Sequence, residues 1–408
     1  MNILYVTTQD AMGSRFNGYS LHKSLRRLGH NSHMAVMRSE LNESEIHELG
    51  NKELKRINFY LSYVERFFSF YSFLPITAMN LFLTPYYKKA DIVHLQLIHA
   101  GQFYSLFCLP LMSRSRRLIW TMHDAWMTTG HCIQSLECER WLSGCGQCPD
   151  KTLPLPIRRD TTALTWKLKK WIMHRSDVCL VVPSWWMYNR VKRSPILSHL
   201  KCHIIPPGVD TTFFRPLDRE KCRVRFGIPP EANVLAFRST SGSFVFKGTE
   251  YIERALALID PNPANPIYLL TFDNIGGLES LRNRYRFIEL GFVKDQNTLV
   301  EALCAADLFL MPSIAETFGM MAVECMACGI PVIVFEGTSL PDVVHSPHAG
   351  ISVPYKDYAG IARAINQLLK DRAMYRTLVE NGLSIVQKEY TLDLYVKRHI
   401  DLYECLSQ

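Results

Sequence analysis

The 408-residue sequence has no low-complexity segment, no internal repeat and no D-x-D pair of aspartates. The first two absences exclude disordered and solenoid architectures. The third removes the carboxylate pair with which many enzymes hold a divalent ion against a diphosphate. No basic n-region precedes a long apolar run: MNILYVTTQD contains neither Lys nor Arg and reads as a first buried strand, so no secretory leader is expected and the chain is assigned to the cytoplasm. Signatures of nucleic-acid-binding modules are missing too. The basic residues from Lys167 to Arg193 alternate with Trp and apolar positions as on an amphipathic helix, which sets nucleic acid aside as a partner. Only Phe67 to Tyr87 lacks charge for long enough to span a bilayer, and Pro75, Asn80 and Pro85 interrupt it. This stretch is expected to be either an amphipathic surface that docks on the inner face of the cytoplasmic membrane or a helical core segment.

What is present describes a globular protein of two domains, with 48% hydrophobic and 21% charged residues in a chain too long for one ordinary core. Its net charge of +8 is unevenly spread: residues 1 to 200 hold 25 Lys and Arg against 14 Asp and Glu, giving +11, and the remainder holds 21 against 24, giving −3. A basic first half suits an anionic partner such as a phospholipid surface or a phosphorylated acceptor. Four of the twelve cysteines cluster in GHCIQSLECERWLSGCGQCP. The closing C-x2-C, flanked by Gly144 and Gly146, suits two thiolates on one tetrahedral ion, so a structural zinc on Cys132, Cys138, Cys145 and Cys148 is expected, with disulfides or free thiols as alternatives.

Apolar runs of strand length recur at 3–8, 91–98, 117–123, 178–184, 202–210, 234–239, 267–272, 286–293, 308–313, 330–335 and 350–354, with helical patterns between them. Consecutive apolar residues mark strands buried on both faces, and their alternation with helices predicts parallel, doubly wound α/β sheets. The seam falls near Pro206, Pro207 and Gly208, which gives Rossmann-like domains over 1–205 and 206–390 with a cleft between them. A last helix over 391–408 is expected to cross back to the first domain.

Within SIAETFGMMAVECMACGIPVI, a strand ends at Ser313, a loop carries Glu316 and Phe318, and a helix opens at Gly319 and ends near Gly329. Ligands of open α/β sheets bind at the carboxyl edge of the strands, and the amides of Gly319, Met320 and Met321 offer a helix terminus to phosphate oxygens. Glu324, a turn and a half along, is positioned to accept ribose hydroxyls. Two acids beside an anion require cations, and Arg238 and Lys247 in FRSTSGSFVFKGTEY occupy the corresponding loop after the first strand of the second domain.

This arrangement resembles the family 4 retaining glycosyltransferases of GT-B fold over essentially the whole chain. SIAETFGMMAVECMACGIPVI is similar to the family's signature, PPGVDTTFFRP to the segment leading into its donor domain, and TMHDAW with the four cysteines to a subgroup acting on bacterial surface polysaccharides of colanic acid, capsule or O-antigen type. The resemblance implies that Glu316 contacts the transferred sugar and Glu324 the ribose, that Arg238 and Lys247 bind the diphosphate, that the backbone around Phe292 and Val293 meets the base, and that His123 touches the sugar from the first domain. It further implies a nucleotide diphosphate sugar donor and a saccharide or polyprenyl-diphosphate-linked acceptor. The family's doubled glycine in the first loop is here split into Gly13 and Gly18. Helix amides and cations replace a D-x-D metal site, so no catalytic metal or other cofactor is expected. The alternative on such a scaffold is a nucleotide-sugar epimerase, which requires acid and base residues beyond the glutamate pair.

Overall fold

The computed structural model describes residues 1–11, 14–99, 103–152, 155–239, 246–273 and 278–408. The chain divides into two compact units, Met1–Ile205 with Tyr395–Gln408, and Pro206–Leu394.

The first unit is built on seven strands: β1 (Asn2–Gln9), β2 (Asn31–Arg38), β3 (Ile46–Glu48), β4 (Ile92–Leu95), β5 (Arg117–Thr121), β6 (Val178–Val182) and β7 (Cys202–Ile204). They form one parallel sheet in the order β3-β2-β1-β4-β5-β6-β7. The interiors of β1, β4 and β6 are buried on both faces, as the runs of apolar residues require. Two strands of this sheet, β2 and β3, were not among the apolar runs. NSHMAVMR opens with three polar residues, and β3 is a three-residue edge, so tertiary pairing with β1 and β2 rather than local pattern makes them strands.

Two helices of this unit matter below: α1 (Tyr19–Arg27) and α2 (Lys52–Phe68). The uncharged stretch that follows α2 turns inward, with Phe73, Ala78, Leu81 and Tyr87 in the hydrophobic core. Part of Phe67 to Tyr87 is thus the expected core segment, while Phe67, Phe68, Met79 and Leu83 stay exposed. Among the described residues, no helix is long and apolar enough to cross a membrane.

The second unit carries β8 (Asn233–Ser239), β9 (Ile267–Asp273), β10 (Arg286–Glu289), β11 (Leu308–Met311), β12 (Val332–Phe335) and β13 (Ile351–Val353). These are all parallel, in the order β10-β9-β8-β11-β12-β13. The sheet order reverses between β8 and β11, as it does between β1 and β4 in the first unit, and loops leaving such neighbours in opposite directions open a crevice at their carboxyl ends. Among its helices, α3 (Met320–Ala327) follows β11; α4 (Leu392–Ser407) belongs to the first unit from Tyr395 onward.

A buried polar chain fastens α4 into the first unit. The Tyr403 hydroxyl lies 2.8 Å from the Tyr5 hydroxyl and 2.7 Å from His94 Nδ1. His94 Nε2 faces Thr121 Oγ1 at 2.7 Å and the Gln96 amide nitrogen at 3.1 Å, so it accepts from both and the ring proton sits on Nδ1. Burial holds the His94 pKa well below its ordinary value, which keeps the ring neutral. Tyr403→Ala would empty a fully enclosed site and strand His94. A loss of about 3–5 kcal/mol is expected, read as a lower unfolding midpoint in urea; an unchanged midpoint would count against this fastening.

Burial likewise lowers His22, His123 and His399 from 6.5 to about 4. The unfolded chain then binds the protons first, so this stabilisation is complete above about pH 6.5 and is lost as pH falls toward 4. The melting temperature is expected to drop across that window, and a flat profile there would contradict the neutral, buried assignment.

Candidate functional site

In the second unit the loops after β8 and β11 are locked together by backbone contacts. A Cβ added to Gly248 (φ +76°) would run into the Pro312 carbonyl oxygen, so only glycine permits this approach. Ile314 N donates to Phe246 O at 2.8 Å beside it. That packing brings Lys247 Nζ to 2.7 Å from Glu316 Oε2, with both side chains mostly sheltered from solvent. The Glu316 carbonyl is held in turn by Ser339, whose Oγ donates at 3.1 Å and whose backbone N–H donates at 3.3 Å.

Three residues past Glu316, Gly319 (φ +93°) begins α3, and an added Cβ would press on Leu340 and Met311. No side chain caps this helix and no acid lies in its first turn; Ala322 N–H donates to Gly319 O at 2.9 Å, and the amides ahead of it are the terminus offered to a ligand. Phe318 turns into the core against Tyr390, with ring centroids 5.8 Å apart, and Met320 and Met321 pack with the same core. Any donor contact here is therefore through backbone. Glu324 is fully buried, with none of its surface open to solvent.

Arg238 forms a second, separate pair: its Nε and Nη2 both lie 2.7 Å from Asp273 Oδ2 at the end of β9. Asp273 N donates to Gly291 O at 2.8 Å, which ties the Arg238 pair to the segment bearing Phe292 and Val293. Phe292 is 69% exposed and offers a free ring face, while Val293 packs against the core. Asp273 and Ser339 escaped the reading of the sequence, since a single Asp or Ser after a strand has no spacing signature of its own.

In the first unit, Gly18 (φ +95°) starts α1 and packs where a Cβ would sit 3.1 Å from both Gln96 and Tyr5. Gln96 Oε1 is 2.7 Å from His123 Nε2 and therefore accepts its proton. Gly13, the other glycine of that loop, lies outside the described residues. Next to His123, Asp124 pairs with His99 at 3.0 Å and caps Trp126 N at 2.9 Å. Burial tends to raise the Asp124 carboxyl, but His99 and the backbone bond outweigh it and hold it below the usual range. The turn is propped by buried Lys169, which donates to Trp126 O and Thr129 O at 2.7 and 3.0 Å and is lowered to about 7 by burial. Gln96, His99 and Lys169 were also not anticipated; the first two lie in the loop after β4 and the third on the helix Thr162–Met173, and they meet the His123–Asp124 turn only in the fold.

Cys132, Cys138, Cys145 and Cys148 do share one electrostatic neighbourhood, and burial with mutual proximity pushes Cys132 up to about 12. All four are free, and among the described residues no group of three or more His, Cys, Asp or Glu is gathered so as to hold a metal ion. The zinc expected from the spacing therefore stays an expectation for these four thiols. Two of the sulfurs face backbone groups: Cys145 accepts from Gly130 N at 3.2 Å, and Cys148 donates to Asp150 O at 3.0 Å.

Comparison with known proteins adds the following. The model of Glycosyltransferase Family 4 matches residues 19–213, and that of Glycosyl transferases group 1 matches residues 240–384. A D-inositol 3-phosphate glycosyltransferase 1 of Catenulispora acidiphila is 31% identical over 197 residues, covering 45% of this chain and 47% of its own length. The chain thus spans about half the length of the curated relatives it matches. Sucrose-phosphate synthase of Thermosynechococcus elongatus superposes with a TM-score of 0.70 at 20% identity, over 99% of this chain and 98% of its own. Anabaena Alr3699/HepE in complex with UDP gives 0.68 at 16%, over 99% and 100%. Such likeness shows the expected fold, two doubly wound α/β domains of GT-B type.

Metal analysis of the reduced protein tests the expected zinc: about one equivalent per chain that resists dialysis would support the four-cysteine ligand set, and none would leave four thiols.

Proposed function

From a chain whose two halves belong to Glycosyltransferase Family 4 and to the group 1 glycosyl transferases, we propose a retaining transferase that moves a hexose-type sugar from a nucleotide diphosphate sugar. Its acceptor is a saccharide or a polyprenyl-diphosphate-linked glycan of surface polysaccharide synthesis. One observation carries the reading: a Lys247–Glu316 pair, 2.7 Å apart, three residues ahead of a helix terminus that no side chain caps. The ammonium and the amides at the start of α3 supply positive potential where the diphosphate would leave. Glu316 accepts hydroxyls of the transferred sugar and fixes its orientation. Arg238, held flat by Asp273, contributes a guanidinium edge, and Phe292 offers a stacking face to the base. His123 is assigned a sugar hydroxyl.

Negative charge grows on the diphosphate as its bond to the anomeric carbon breaks. Lys247 then shifts its attraction from the carboxylate toward the leaving group, which makes the interaction stronger in the transition state than before it. Departure and acceptor attack on one face retain the anomeric configuration. In this reading cation and amides take the load a divalent ion would carry, so turnover is expected to survive EDTA.

Anabaena Alr3699/HepE, of similar fold, is described with UDP and with UDP-glucose, which makes uridine nucleotides the first probes. A thermal-shift panel of UDP, GDP and ADP with their sugars is expected to show one nucleotide raising the melting temperature, since saturation at a hundred times Kd stabilises by about 2.7 kcal/mol. Glu316→Gln should lower turnover about a thousandfold while changing nucleotide affinity only about threefold or less. A panel without any shift, or a mutant as active as the parent, would defeat the proposal.

A further inference from the structure

Helix α2 is inside out. The side chains it buries are polar, namely Asn58, Ser62 and Glu65, whereas Phe59, Tyr60, Tyr63 and Phe67 keep 49–62% of their surface exposed, with Val64 and Phe68 exposed beside them. Tyr60, Tyr63, Val64 and Phe67 follow the i, i+3, i+4, i+7 spacing of one helical stripe, about 180° around the axis from the buried polar residues. An ordinary surface helix shows the reverse.

The polar side has a clear structural task. Glu65 accepts the backbone N–H groups of Phe73 and Leu74 at 2.7 and 2.8 Å and of Ser72 at 3.3 Å, and Asn58 Oδ1 accepts that of Ile76 at 2.8 Å. These bonds hold the irregular segment after the helix against the core. Nothing comparable explains the aromatic side, where about half or more of each ring-bearing side chain of the stripe stays open to solvent and Arg159 alone among the cations described below comes from another segment.

The charges around that stripe indicate what does. Lys52, Arg56 and Arg66 are exposed on the same helix, where Glu53 is the lone exposed acid. Arg66 lies over the Tyr63 ring at 5.4 Å, and Arg159 lies over the Phe67 ring at 4.3 Å. Exposed aromatics ringed by Arg and Lys match the boundary of an anionic bilayer, where rings enter the headgroup layer and cations meet lipid phosphates. A second copy docking through this face by a two-fold axis would set cations against cations.

We propose that the aromatic face of α2 is a docking surface for anionic phospholipid. The inference deepens the lipid-linked acceptor proposed above and rests on it for its biological meaning, while the binding itself requires neither donor nor acceptor.

Co-sedimentation of the full chain with phosphatidylcholine vesicles, with and without phosphatidylglycerol, tests it. Wild type is expected in the pellet with phosphatidylglycerol at low salt, and the triple variant Tyr60→Gln/Tyr63→Gln/Phe67→Gln is expected to partition about tenfold less or weaker. Arg56→Gln/Arg66→Gln, which removes two exposed cations and leaves the stripe's rings in place, should weaken binding and flatten its salt dependence, and it serves if the triple variant fails to fold. Wild type remaining in the supernatant, or both variants pelleting like wild type, overturns the proposal. So does a wild-type dimer in solution that the triple variant converts to monomer, which would assign the face to a second copy. The nucleotide thermal shift, measured in parallel on wild type and variants, reports on the transferase reading separately, so either can fail alone.

Discussion

Everything in the second unit's site depends on two loops meeting backbone to backbone. Gly248 lies against the Pro312 carbonyl with no room for a side chain, and Phe246 O receives the Ile314 amide. Lys247 and Glu316 are neighbours of those contacts, so their 2.7 Å pairing follows from the approach rather than producing it. An exposed pair of flexible side chains would lose much of its attraction to side-chain entropy and screening. Here the backbone has already met that cost, and the pair is preorganised at the carboxyl edge of a sheet where its order reverses.

The first unit uses a different device, a run of buried hydrogen bonds from Tyr5 through Tyr403, His94 and Gln96 to His123. Each link fixes the tautomer of the next, so the orientation of His123 is set by residues on β1, β4 and the terminal helix. Lys169 and the His99–Asp124 pair secure the turn from its other side. Burial keeps His94 and His123 neutral, which suits hydrogen bonding to hydroxyl groups better than carrying charge.

Polar and apolar residues trade their customary places at two sites. On α2 the acid and amide go inward to satisfy backbone groups while the aromatics remain outside. In the cysteine loop, burial raises the thiols of Cys132, Cys145 and Cys148, with Lys169 and Arg190 close enough to feel the cluster. Residue type announces chemistry, but the direction in which a side chain points depends on what its neighbours leave unsatisfied.

The two-sheet architecture, the strand runs over most of β1 to β13, and the loop-and-helix placement of Glu316 and Gly319 were legible in the sequence, because strands buried on both faces write uninterrupted apolar runs and glycines mark forced turns. Tertiary structure alone decided the edge strands β2 and β3, the partners Asp273 and Ser339, the Gln96–His123 bond and the exposure of the α2 aromatics. Each of these joins residues far apart along the chain or sets which face of an element is covered. Local pattern records the period of a helix or strand; which side meets a neighbour is settled only when the neighbour arrives.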